Sequence, residues 1–285
     1  MTRQSERVIG IDLGGTHVRG GLVQGENLSE IRAGRINSGG SEDEVLQDLF
    51  RITDQLMEPS VRAIGVGVPS VVDVETGVIY DVVNIPSWKE VHLKELMEKQ
   101  YGVPVWVNND ANCFALGEFY FGWGRGHSSM IGLTIGTGLG GGIIINHKLY
   151  PGVNCGSGEF GMVPYLDKFY EYYAAGQFFQ NVHGMDGEQV FRLAEAGDLK
   201  ARAMYAEMGA HLGNAMKTIM YTYDPDLIVL GGSVRAAYPF FSTAMWERIR
   251  SFVFTRSIDR LRIELSELEN GGILGAAALY FDSIQ

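Results

Sequence analysis

The stretch IGIDLGGTHVRGGLV (Ile9–Val23) recurs further along the chain as IGLTIGTGLGGGIII (Ile131–Ile145), an offset of 122 positions that places Ile9 on Ile131. In each copy an apolar run enters a Gly/Thr turn and a second apolar run returns, the pattern of a β-hairpin with a glycine-dense tip. Hairpins commonly turn on glycine, so either copy alone could be ordinary. Two copies, each heading one half of the chain, predict a duplicated α/β unit. Their tips are expected to face a shared cleft and to offer backbone amides to a phosphate chain.

Reading outward from the first hairpin, the chain continues with the strand IRAGRI, a helix from about Glu42 to Met57 and the buried strand RAIGVGV. GVIYDVV, a helix from about Lys89 to Tyr101 and the strand VPVWV running to Asn108 follow. Asp110 then opens a helical stretch, DANCFALGEFYF, which Asn109 or Asp110 is suited to cap. After the second hairpin come a Gly-rich loop from Pro151 to Gly161 and three helical segments between about Lys168 and Tyr223. The strand LIVLGG, a helix near Phe240 to Phe252, the strand LRIELSEL and a helix GGILGAAALYF complete the pattern. Strands that alternate with helices indicate the α/β class. The strand–helix junction at Asn109 suggests domains 1–109 and 110–271, with the final helix, 272–285, packing back onto the first.

The bulk properties narrow the function. With 285 residues, 46% hydrophobic and 20% charged, the chain can bury a sizeable core and is neither disordered nor fibrous. Its net charge of −11 opposes a phosphate backbone, which argues against nucleic-acid binding. A phosphorylated ligand must then be held by local devices, and the 38 glycines gain significance because glycine lets a ligand approach the main chain. Cys113 and Cys155 have neither metal-knuckle nor disulfide-framework spacing, the six His show no metal spacing, and MTRQSER has no signal-peptide character. No run reaches about 20 apolar residues, so no membrane span and a cytoplasmic location are expected.

Neither hairpin carries the Lys of a P-loop, and GTGLGG lies between strands, whereas a dinucleotide fingerprint must open a helix. In DLGGT, Gly14 and Gly15 let an oxyanion approach the main chain, Thr16 adds a hydroxyl and Asp12 can hold a hydrated Mg²⁺, or merely cap a turn. Thr137, Gly138, Gly140 and Gly141 would act likewise from the second hairpin. Trp88 and Trp106 could stack on a ligand, but core packing is the favoured reading.

The segments IGIDLGGTHVRGGLV, VGVPSVVD, NIPSW, VNNDANCFALGEFYFGWGRG, GLTIGTGLGGGIII, GSGEFG and LIVLGGSV together resemble the ordered motif set of the ROK (repressor, open reading frame, kinase) family, from about Val8 to Tyr280. The resemblance implies the two-domain actin-like ATPase (ribonuclease H-like) fold, homodimers and ATP-dependent phosphorylation of a hexose with Mg²⁺. Glucose giving glucose 6-phosphate is the expected reaction, with fructose, allose or an N-acetylhexosamine as alternatives. By the same resemblance Asp110 is the general base, and Asn109, Glu159, Glu171, Pro69, Ser70 and Asn84 hold the sugar. Gly231 and Gly232 would lie against the adenosine. Phosphoryl transfer asks a protein mainly to align a nucleophile and spread charge, and a sugar hydroxyl also needs a base within reach.

The pattern breaks after GEFG. Met162 stands where the family usually has His, and no cysteine lies between Val163 and Tyr170, so the four N or S ligands of the family's structural zinc are missing. This loop is expected to be ordered by the aromatic area of Phe160, Tyr165, Phe169, Tyr170 and Tyr172. Two other classes compete with a kinase: a sugar-responsive repressor, which would need a DNA-binding domain where only Met1–Arg7 precede Val8, and a noncatalytic sugar sensor.

Overall fold

The computed structural model describes residues 6–284. Its contacts divide the chain into two compact units: one runs to Ser128 and includes Gly142–Ser157 and everything from Glu267, and the other is Ser129–Gly141 with Gly158–Ser266.

In the first unit the strands β1 (Arg7–Leu13), β2 (His17–Gln24) and β3 (Asn27–Arg35) form an antiparallel meander. Helix α1 (Glu42–Asp54) leads to β4 (Val61–Val68), and a small three-stranded sheet follows from β5 (Val71–Asp73), β6 (Val78–Tyr80) and β7 (Glu90–Val91). Helix α2 (Leu93–Tyr101) then leads to β8 (Val105–Asn109) and α3 (Asp110–Phe121). The main sheet has the order β3-β2-β1-β4-β8, with β4 and β8 parallel to β1. A full capping box starts α1: Ser41 accepts from the Glu44 N–H and Glu44 returns to the Ser41 N–H. Val45, Leu46, Leu49 and Ile52 of α1 are buried in the core, each worth about 1.5–3 kcal/mol.

In the second sheet, β9 (Met130–Ile135), β10 (Leu139–Ile145) and β11 (Lys148–Leu149) are followed by β12 (Pro164–Tyr165) and β13 (Lys168–Phe169), a two-stranded ribbon apart from the sheet. Helices α4 (Tyr170–Ala174), α5 (Phe178–His183), α6 (Gly187–Glu195) and α7 (Leu199–Tyr223) come next, four where three were expected. Strand β14 (Leu227–Gly231), α8 (Tyr238–Ile249), α9 (Thr255–Arg260), β15 (Arg262–Leu265) and α10 (Gly271–Ser283) end the chain. The order β11-β10-β9-β14-β15 repeats that of the first sheet, with β9, β14 and β15 mutually parallel. The duplication extends to the hairpins: strands end at Leu13 and Ile135 and resume at His17 and Leu139, the same offset seen in the sequence.

The division does not fall at Asn109. Helix α3 belongs with the first unit because it packs on α10, where Gly275 lies so close to the Cys113 carbonyl that a Cβ would sit 1.8 Å from its oxygen. Helix α10 in turn rests on a floor made by Gly10 and Gly65, which are partners in the β1–β4 register. Trp88 is fully buried in the core, and Trp106 packs edge-on against Tyr280 at 5.3 Å. Among the described residues no helix is long and apolar enough to cross a membrane.

Candidate active site

In the first unit β8 passes into α3 without a loop. Asn109 has extended backbone (φ −62°, ψ 146°) and is the N-cap, its Oδ1 accepting from the Ala111 N–H at 2.9 Å. Asp110, the first helical residue, is exposed and its Oδ1 shares that N–H at 2.8 Å. The alternatives for the cap are thereby decided in favour of Asn109. Asn109 Nδ2 donates to the Ser70 carbonyl at 3.2 Å, and the Ser70 hydroxyl donates to the Tyr80 carbonyl, so the Pro69–Ser70 turn is tied to the head of α3.

Asp12, near the end of β1, is partly buried, and burial pushes its carboxyl above the ordinary range while the Arg19 guanidinium opposes this. Arg19 is its cross-strand partner and donates to Asn270, the residue before α10. The Asp12 carboxylate lies over the first turn of α10, where a Cβ on Gly272 would come within 2.6 Å of Oδ2. A partly desolvated carboxylate attracts a cation, and one such group with waters suits Mg²⁺, which keeps much of its hydration shell. The tip of this hairpin is closed by Gly14 N–H donating to the His17 carbonyl at 2.9 Å, and Thr16 Oγ1 lies 2.9 Å from His17 Nδ1. Asn84 is packed against Gly15, where a Cβ would meet the Asn84 Cβ at 2.6 Å.

In the second unit the tip is closed by Gly136 N–H donating to the Gly138 carbonyl at 3.0 Å. Glu171 plugs this turn: its Oε2 accepts from the Leu139 N–H at 2.9 Å, its Oε1 accepts from Gln177 Nε2 at 2.8 Å, and a Cβ on Gly138 would stand 2.5 Å from Oε2. Both oxygens of this predicted sugar ligand are therefore engaged by the chain itself. Its charge, with partial burial as the larger cause, raises the pKa of Glu159. Gly141 faces the Gly158 carbonyl and the Phe160 ring, so Gly15, Gly138 and Gly141 give their space to neighbours in the fold rather than to a ligand. None of the hairpin-tip glycines has positive φ.

Gly232, after β14, does: its φ is 82° and a Cβ would lie 2.3 Å from the Ile135 carbonyl oxygen, so only glycine fits. The chain then runs along a cavity of about 530 Å³ whose rim includes Gly136, Thr137, Ser233 and Ala237. Gln177, Gln180, Asp186, Glu188, Phe191 and Tyr205 also line it. These six were not singled out from sequence, and no motif marks them, because they come from three helices and their N-caps, which only the fold brings together. A volume of this size lies in the range of small-molecule sites.

The loop that lacks the zinc ligands is held by hydrogen-bonded aromatics. Tyr165 stacks on Tyr170 (centroids 4.4 Å apart, 20° between planes), and its hydroxyl meets His211 Nδ1 at 3.1 Å and Asn214 Nδ2 at 2.8 Å. The Tyr170 hydroxyl reaches Thr218 Oγ1 at 2.9 Å, which fastens β12–β13 and α4 to α7. Phe169 packs on Tyr172, whereas Phe160 packs on Tyr223 of α7. Tyr173 and His211 join the cluster without having been expected there. Burial lowers the pKa of His211 and favours its neutral form. Among the described residues no three His, Cys, Asp or Glu side chains are grouped to hold a metal.

The chain is 27% identical to a glucokinase of Thermotoga maritima, over 98% of each protein. It is also 27% identical to the xylose repressor of Bacillus subtilis, over 96% of this chain and 77% of the repressor. The crystal structure of a ROK family glucokinase from Streptomyces griseus in complex with glucose and AMPPNP matches with a TM-score of 0.79 and 26% identity, covering 96% of this chain and 98% of that one. The fold is the actin-like two-domain ATPase fold of the ROK sugar kinases. The ROK family model matches residues 8–283, and the chain belongs to the ROK family.

Proposed function

We propose that this protein is an ATP-dependent hexose kinase acting on the 6-hydroxyl of glucose, with Asp110 as the general base. One observation carries the reading: the exposed Asp110 opens α3 directly from β8, its Oδ1 on the Ala111 N–H that the N-cap Asn109 also engages. A carboxylate on a rigid strand–helix junction can meet a hydroxyl with fixed geometry, as proton transfer requires. The similarity to glucokinases, one of them solved with glucose and AMPPNP, supports this choice of substrates.

In this reading Asn109, Ser70, Pro69 and Asn84 orient the sugar. Glu171 acts mainly as a brace for the Leu139 turn, given its two internal partners. The nucleoside of ATP occupies the cavity beside Thr137 and Ser233, and the family resemblance assigns Gly140, Gly231 and Gly232 to the nucleotide as well. Asp12 would hold Mg²⁺ through water, and the bound ion would neutralise phosphate charge. Asp110 takes the hydroxyl proton as the sugar oxygen bonds to the γ-phosphorus; the bond from that phosphorus to its bridging oxygen breaks, and ADP leaves.

The test is ADP release across a hexose panel of glucose, fructose, allose and N-acetylhexosamines, repeated with Asp110→Asn. Glucose should give the highest kcat/KM, and the variant should bind it while turnover drops about 10²–10⁴-fold. Near-normal turnover in the variant would refute the base assignment, and tight hexose binding with no turnover by the wild type would identify a sensor.

A further inference from the structure

We propose that Cys155 is a positioning residue for Asp110, its thiol locking the β8–α3 junction through the buried side chain of Asn108. This rests on Asp110 being the base of a hexose kinase.

The starting observation is backbone conformation. In the loop from Pro151 to Gly161 three residues have positive φ: Gly152 (74°), Cys155 (53°) and Gly158 (93°). Two of these left-handed positions carry glycine, the residue that adopts them without steric penalty. The third carries cysteine, so its side chain must supply something that offsets the strain.

What it supplies is visible around the sulfur. Cys155 is 4% exposed, packs into the core of the first unit, and its Sγ donates to Asn108 Oδ1 at 3.1 Å. Asn108 is itself 3% exposed, and the same oxygen accepts from the Asn109 N–H at 2.8 Å and from Asn112 Nδ2 at 2.9 Å. One amide oxygen thus gathers the last strand residue, the first turn of α3 and the glycine-rich loop, and it cannot rotate without releasing all three. The N–H groups of Asn109 and Val72 are also directed at the sulfur. Burial outweighs their effect and raises the thiol pKa, so at neutral pH the group is S–H, a donor. Asn109, held on one side by this hub, is held on the other by Ser70, and Asp110 is the next residue along the chain.

The hub therefore controls where the Asp110 carboxylate stands. Cys155 neither touches a ligand nor moves a proton in this scheme. A misplacement of about 1 Å in such a group costs about 10²-fold in rate, so partial loosening is expected to cost about tenfold.

The test compares Cys155→Ala, Cys155→Ser and Cys155→Gly in hexose-dependent ADP release and thermal melting, with wild-type turnover measured first. Alanine removes the donor: kcat should fall about tenfold while KM for ATP stays within about twofold, because the nucleotide cavity lies in the other unit. Serine restores a donor and should recover kcat to within about threefold of wild type. Glycine relieves the backbone, so its melting temperature should equal or exceed that of the alanine variant, yet its kcat should be as low. Wild-type kcat in the alanine and glycine variants overturns the proposal, as does a parallel loss of kcat and melting temperature with serine no better than alanine. Absence of hexose-stimulated turnover in the wild type would instead overturn the kinase reading, and the positioning role with it.

Discussion

Substitution of Gly10 by Ala probes how α10 is seated. Gly10 lies in β1, in register with Gly65 of β4, and a Cβ there would stand 2.0 Å from the Ile273 carbonyl oxygen and 3.1 Å from the Ala277 nitrogen. Those two atoms are the acceptor and donor of one helical hydrogen bond, so the methyl group would press on backbone that has no rotamer to change. To restore ordinary contact at 3.4 Å from 2.0 Å the helix must retreat by about 1.4 Å, and overpacking of this kind costs about 1–3 kcal/mol. Backbone opposition places Gly10→Ala at the upper end, about 3 kcal/mol, which at 2–4 °C per kcal/mol lowers the melting temperature by about 6–12 °C. The retreat also withdraws Gly272 from the Asp12 carboxylate, so kcat/KM for ATP should fall as well. The control is Gly39→Ala, where a Cβ meets nothing within 4 Å and the backbone is not left-handed, and where the shift should stay within about 1 °C. Calorimetry and ADP release on both variants decide the matter. Melting of Gly10→Ala within about 1 °C of wild type would show that α10 is not seated on this floor.

Other perturbations test separate parts of the site. Burial raises the pKa of Asp12, so the folded state holds that proton to higher pH than the unfolded chain, and stability is lost as pH rises through the window above 3.8. Asp12→Asn should therefore melt higher than wild type at pH 7 and the same at pH 3.5; an equal gap at both would contradict this. Glu171→Ala leaves the Leu139 N–H without its acceptor and should lower the unfolding free energy by about 1–3 kcal/mol in denaturant titrations, a loss below 0.5 kcal/mol being the adverse result. Exhaustive zinc chelation should leave turnover intact while removal of Mg²⁺ abolishes it, and an apoenzyme revived specifically by zinc would show that the tyrosine cluster does not replace the metal loop.

The parts of this molecule legible in the sequence are those set by near neighbours. The two hairpins could be read because their apolar runs and glycine turns are contiguous, and α7 because one long amphipathic segment separates two caps, Asp198 and Asp224. That α3 goes with the first unit was not, because it depends on Gly275 meeting Cys113, residues far apart in sequence. The cavity beside Thr137 and Ser233 has the same origin, its walls coming from separate helices. Within the site the difficulty is of another kind. A motif gives the order of residue types and is silent on which side chains the fold itself occupies. Glu171 was assigned to the sugar by resemblance, yet both its oxygens are committed to Leu139 and Gln177. Cys155 reverses the case: it belonged to no motif, and its left-handed backbone together with its bond to Asn108 gives it a reason to be there. A carboxylate whose two oxygens brace a turn is thus a poorer candidate for substrate contact than its motif suggests, and Glu171 is that case.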